Sequence, residues 1–138
     1  MTALTSDAQR VEKEGRLQSF QVAANAVIYK NALVKVNASG YLAPCAAEAG
    51  ALFVGMAYEA VDATGLSNGD VSIRVELKNA IEIAGSGFVQ GDIMKAVYAS
   101  DDNTVSTVQG ANEQLVGRII EVISATKVLV QPNHAQAL

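Results

Sequence analysis

The chain has 138 residues, a formal net charge of −4, 50% hydrophobic residues, only 5% aromatic ones and no Trp. That length suits one domain with a core of Val, Ile, Leu and Ala, and the acidic balance argues against a nucleic-acid binder, which needs a basic footprint. A single cysteine rules out an intrachain disulfide framework and a Cys-based zinc site.

Residues 1–16 differ in texture from everything after them. Three acids (Asp7, Glu12, Glu14) and three bases (Arg10, Lys13, Arg16) cancel there, and little is left to bury. Two readings stand: a frayed terminus, or an arm that orders on a partner surface. A short helix over Ser6 to Lys13 lacks an apolar stripe. Met1 to Gly15 shows no apolar leader core, so a soluble protein used without secretion is expected. The longest apolar run, Ala51 to Tyr58, is far short of the ~20 residues of a membrane helix, so no membrane partner is expected.

From Leu17 onward the chain reads as short strands. Val27-Ile28-Tyr29 and Leu33-Val34-Lys35-Val36 are strand candidates. Asn37-Ala38-Ser39-Gly40 is a turn, Tyr41-Leu42-Ala43 a return strand, and Pro44 its edge or end. Leu52 to Val61 reads as one buried strand with Gly55 inside it. The clearest stretch runs from Gly69 to Ile83. Val71, Ile73, Val75 and Leu77 alternate with Ser72, Arg74, Glu76 and Lys78, which is the period of a strand with one buried face. At helical spacing those apolar positions would scatter around the cylinder. Asn79-Ala80 interrupts the alternation, and Ile81 and Ile83 resume it around Glu82. Ile93 to Ala99, Thr104 to Val108, Val116 to Ile123 and Lys127 to Gln131 supply further strands. Residues 133–138 read as a tail. Many short strands at this spacing predict an all-β fold, a small β-barrel or β-sandwich.

A faint internal repeat accompanies them. Lys30-Asn31-Ala32-Leu33 resembles Gly91-Asp92-Ile93-Met94, and Phe53-Val54-Gly55 resembles Leu115-Val116-Gly117. The offset is 61 at Asn31/Asp92 (92 − 31) and 62 at Gly55/Gly117 (117 − 55). Two similar halves closing one β-core would produce this.

Reactive chemistry is sparse. Cys45 and His134 could form a nucleophile–base pair, but no Asp or Asn motif frames them. Asp101-Asp102-Asn103 lacks the spacing and distal Glu of a calcium loop and reads as a turn. Gly91-Asp92-Ile93-Met94-Lys95-Ala96 weakly resembles the lysine site of biotin and lipoyl carriers. Lys95 reads instead as an outward lysine on a strand. No phosphate loop, nucleophile elbow or His cluster is present, so neither an enzyme nor a cofactor is expected.

Ala3-Leu4-Thr5 with a charged run to Gly15, Ser19-Phe20-Gln21-Val22-Ala23-Ala24, Ile28 to Val34, Asn37 to Tyr41, Val54-Gly55-Met56-Ala57 and Asn68 to Val75 follow one another along the chain. In order and spacing these segments resemble the capsid cement (head decoration) proteins of tailed bacteriophages. The resemblance implies a β-barrel or β-sandwich body, of β-tulip kind, with an extended N-terminal arm. It implies a division into an arm over 1–22, a β-core over 23–132 and a tail over 133–138. It also implies a virion structural protein, made in the bacterial host cytoplasm, that sits on the outer surface of the capsid. There it would bind the major capsid protein shell as a homo-oligomer, a trimer at three-fold positions, and stabilise the head against genome pressure. The arm residues expected to grip the shell are Leu4, Arg10, Arg16, Leu17, Phe20 and Val22. Other readings are a tail or fibre module of the virion, a carrier domain modified at Lys95, and a cysteine hydrolase.

Overall fold

The computed structural model describes residues 17–77 and 80–132. Among them the fold is all-β, with twelve strands, one 3-10 turn at Gln90–Asp92 and no α-helix. The first half holds β1 (Leu17–Gln21), β2 (Val27–Ile28), β3 (Leu33–Val36), β4 (Leu42–Pro44), β5 (Leu52–Ala57), β6 (Val61–Asp62) and β7 (Ser72–Glu76). The second holds β8 (Ile81–Ala84), β9 (Ala96–Ala99), β10 (Val105–Ser106), β11 (Leu115–Ser124) and β12 (Lys127–Pro132).

These strands form two five-stranded antiparallel sheets, β1-β7-β5-β3-β4 and β8-β12-β11-β9-β10, with β2 and β6 as a separate ribbon. Each sheet curls until its two edges meet. Val22 forms a parallel bridge with Leu42 after β1, and Ala84 does so with Thr104 at the end of β8. The alternation of the central stretch is realised as expected on β7, where Ile73 and Val75 are buried and Ser72 and Arg74 face out. It continues on β8 with Ile81 and Ile83 inside, but in the other sheet: β7 ends one half and β8 begins the next.

Two strand boundaries differ from the sequence reading. The run Leu52 to Val61 stops at Ala57, because Tyr58 N–H turns to the Arg74 carbonyl (3.0 Å) and the chain re-enters β-pairing only at β6. The run Ile93 to Ala99 starts at Ala96. There the Asp92 carboxylate accepts the Val89 N–H (3.0 Å) and the Asp92 carbonyl accepts the Lys95 N–H (2.9 Å), which closes a tight turn through Met94 at φ 69°.

The two halves repeat one strand plan down to the register. Val34 pairs with Gly55 and Lys35 with Phe53, skipping Val54. Val97 pairs with Gly117 and Tyr98 with Leu115, skipping Val116. Both skips are one-residue β-bulges at the same place in the strand plan. Phe20 pairs with Ile73 as Ile83 pairs with Val128. The loops repeat too. Asn31 N–H donates to the Ala57 carbonyl (2.8 Å) as Met94 N–H donates to that of Ile119 (2.7 Å). Ala57 N–H returns to the Ala32 carbonyl (2.9 Å) as Ile119 N–H returns to that of Lys95 (3.0 Å). The structural partner of Asn31 is therefore Met94, offset 63, since both hold a positive φ (70° and 69°) at this turn; Asp92 is two residues away.

Gly55 and Gly117 show why the plan needs glycine at the bulge. A Cβ on Gly55 would collide with the Glu76 carbonyl oxygen, and one on Gly117 with that of Gln131. Neighbouring backbone passes so close that no side chain fits.

Each half fills its own barrel. Val22, Ile28, Val34, Leu42, Val54, Ile73 and Val75 pack inside the first. Ile81, Ile83, Val97, Val105, Val116, Ile119, Val128 and Val130 pack inside the second. Leu33, Cys45 and Phe53, from the opposite face of the first sheet, join the second cluster and so bind the halves together.

Candidate partner-binding surface

The expected arm residues divide into two groups. Leu4, Arg10 and Arg16 lie outside the described residues. Leu17, Phe20 and Val22 lie in the folded body. β1 is hydrogen-bonded along β7 from Leu17↔Glu76 to Gln21↔Ser72. Val22 donates its N–H to the Val71 carbonyl (2.9 Å), and its side chain is 0% exposed in the first core. Phe20 is half-buried against the same core, while Leu17, at the strand's start, is 36% exposed. Val22 thus belongs to the fold, and a partner of the body can reach Leu17 but not Val22.

Of the residues the sequence offers for chemistry, Cys45, Lys95 and Asp101 lie among the described residues, each held by local contacts. Cys45 is buried, and burial pushes its thiol up to about 12, with Lys35 opposing and Asp102 and Asp101 adding to the shift. A thiol held protonated at neutral pH is a poor nucleophile. His134 lies outside the described residues. Lys95 is not on a strand: it sits in the turn before β9, its Nζ 3.1 Å from Asp92 Oδ1. The Val89 N–H, then Lys95, hold the Asp92 carboxyl below its ordinary range. The Asp101 carboxylate caps its own turn by accepting the Asn103 and Thr104 N–H groups (2.8 Å each). Among the described residues no cluster of three or more His, Cys, Asp or Glu could hold a metal ion, and no helix is long and apolar enough to cross a membrane.

The outer surface carries something the sequence did not single out. Exposed apolar side chains stand on both halves, Val27 and Tyr58 on the first and Val89 and Ile120 on the second; Tyr58 and Ile120, which follow the matched residues Ala57 and Ile119, are equivalent. Val61 is half-buried on the β2–β6 ribbon, and Ile123 is exposed on β11. Around the first set lies a shallow depression of about 290 Å³ formed by Val27, Tyr29, Ala60 and Val61. Beside the second lies one of about 260 Å³ formed by Met94, Arg118, Ile120 and Pro132, where Arg118 is held by a hydrogen bond to the Met94 carbonyl (3.0 Å). Next to the first set, Arg74 stacks 5.0 Å above the Tyr58 ring and pairs with Glu59 (3.1 Å). Hydrogen bonds from the Arg74 side chain and then its backbone lower the Glu59 carboxyl. The strand period accounts for each apolar residue singly, and the 62-residue offset of Gly55 and Gly117, carried three residues on, pairs Tyr58 with Ile120.

Both depressions are open, and their walls mix apolar side chains with a few polar ones. They suit protein contact better than the enclosed capture of a small molecule. Comparison of the chain with protein-family models, with curated proteins and with solved structures finds no match.

Proposed function

We propose that this chain is a capsid cement protein of a tailed bacteriophage: a non-enzymatic homo-oligomer, a trimer at three-fold positions, that binds the outer surface of the assembled head. The sequence resemblance suggests the class. The observation that carries the reading is the exposed apolar pair Tyr58 and Ile120 at equivalent positions of two halves that share one strand plan. An apolar contact offered once by each half suits a partner that itself repeats, as a shell lattice does.

The physical logic is linkage. A protein that binds only the assembled shell stabilises it by mass action. Several contacts from one oligomer act as one, because the second and third become intramolecular. The body begins at β1, an edge strand fixed by its pairing to β7. From that fixed point a polar sixteen-residue segment can order on the shell, with its ordering cost offset by new contacts. Leu4, Arg10 and Arg16 are its contact residues, and Leu17 sits at its root.

Cosedimentation with expanded heads stripped of decoration tests this. The full chain is expected to saturate them and to raise the temperature at which they release DNA. A chain lacking residues 1–16 should keep its melting temperature and bind at least tenfold more weakly. Failure of the full chain to bind assembled heads, or equal binding by the truncated chain, overturns the proposal or its arm respectively.

A further inference from the structure

Equivalent positions of the two halves should be equally exposed if the halves met through the same face. They are not. On the first half, the outward face of β3, β4 and β5 is covered: Leu33, Cys45 and Phe53 are buried, Cys45 at 2% exposure. On the second half, the matching residues are Ala96, Val108 and Leu115. Ala96 and Leu115 are half-buried, and Val108 is 75% exposed.

The opposite bias holds along a second surface, here the seam, formed around the starts of β1 and β5 in the first half and of β8 and β11 in the second. In the second half Gln114 is 3% exposed and Ile81 is buried. Their first-half counterparts, Leu52 and Gln18, are exposed, Leu52 at 42%. The hydrogen bonds that cross between the halves run between these two surfaces. Leu33 N–H donates to the Asp102 carbonyl (2.8 Å), Glu48 N–H to that of Asn112 (3.0 Å), and Gln114 Nε2 to that of Ala46 (3.0 Å). At the free seam Ser39, in place of half-buried Asp102, is exposed, while Gly50 and its counterpart Asn112 are exposed alike.

The halves therefore pack head to tail, the outer face of the first on the seam of the second. One outer face, at Val108 and Leu115, and one seam, at Gln18 and Leu52, are left over. They are the two complementary parts of an interface that the chain already makes once within itself.

We infer that copies of this chain associate head to tail, the Val108–Leu115 face of one seated on the Gln18–Leu52 seam of the next, in continuation of the packing between the halves. A heterologous contact of this kind closes into a ring when its rotation permits. With three chains the ring carries six equivalent halves, two from each. The inference rests on the homo-oligomer part of the proposed function and supplies its surface; it is independent of what the ring binds.

Sedimentation velocity of the full chain without heads, at tens of micromolar, tests it through two exposed sites whose substitution leaves the core untouched. The wild type should sediment at about three times the 14.4 kDa of one chain. Val108→Asp alone and Leu52→Asp alone should each be monomeric, with circular dichroism and melting temperature as in the wild type. An equimolar mixture of the two should form a two-chain species, because each variant still offers the surface the other lacks. A monomeric wild type overturns both the inference and the homo-oligomer reading. A wild-type oligomer that survives in both variants, or a mixture that stays monomeric, overturns the head-to-tail contact and leaves the homo-oligomer reading standing.

Discussion

Val22 decides where the body begins. Its side chain is 0% exposed and belongs to the first core, although it follows a strand whose other residues are mostly exposed. Val22→Ala removes two methyl groups. Their transfer is worth ~0.8 kcal/mol each, about 1.6 kcal/mol together. If about 50 Å³ stays open, the cavity adds about 1 kcal/mol at ~24 cal/mol per Å³. The expected loss is therefore ~2–3 kcal/mol. Unfolding entropy of ~2.1 cal/mol/K per residue gives roughly 0.3 kcal/mol/K for this chain, so the melting temperature should fall by about 7–10 °C.

Leu17→Ala, at the half-open start of the same strand, should cost under ~1 kcal/mol, about 3 °C by the same conversion. Urea denaturation followed by circular dichroism reads both, and an unchanged m-value would show that the loss lies in stability rather than in compactness. If Val22→Ala melts within 2 °C of the wild type, the strand is not part of the cooperative unit. The division between body and arm drawn at residue 17 is then wrong.

Two further perturbations probe the repeat and the lone thiol. Gly117→Ala should cost ~1–3 kcal/mol or more, because its Cβ meets backbone of Gln131 and Pro132 that cannot turn aside. Gly91→Ala, which meets open space, is the control, and equal melting of the two would refute the close approach at the bulge. Cys45 should resist thiol reagents at pH 8 until the protein is unfolded. With its folded value raised to about 12 from 9.0, its contribution to stability is complete below pH 9 and is lost as the pH rises through 12. Cys45→Val should therefore lose less stability than the wild type across that window, and fast labelling of the folded protein at pH 8 would refute the burial.

Most strands were legible because their faces differ. β7 and β8 alternate cleanly, and each puts its apolar face inward. What period two does not carry is which sheet a strand joins. β7 and β8 carry one pattern, interrupted only at Asn79-Ala80, yet join different sheets, since side-chain alternation fixes a face and says nothing of the neighbour. The strand boundaries at Ala57 and Ala96 were lost for a local reason. Side-chain and backbone bonds from Arg74 and Asp92 stop extended chain inside runs whose composition favours strand. Val22 misled in the same way: a sequence window centred on the polar first residues hides one apolar side chain that the β4 edge covers.

β3 is the most telling segment. Leu33-Val34-Lys35-Val36 is apolar on both faces except for Lys35, and a run of that kind belongs to a strand covered on both sides. The structure covers it so, the first core beneath Val34 and the second half above Leu33. Lys35 is buried with them, its ammonium 2.6 Å from Glu48 Oε1 and 3.0 Å from the Ala46 carbonyl. Its counterpart Tyr98, on the uncovered face of the second half, is half-buried and carries no charge. A lysine is tolerated where a permanent partner satisfies it, and a desolvated charge without one would oppose association. Placing the ion pair on the face that is always covered, and an uncharged ring on the face left free, is the division expected if that free face must also be covered by another chain.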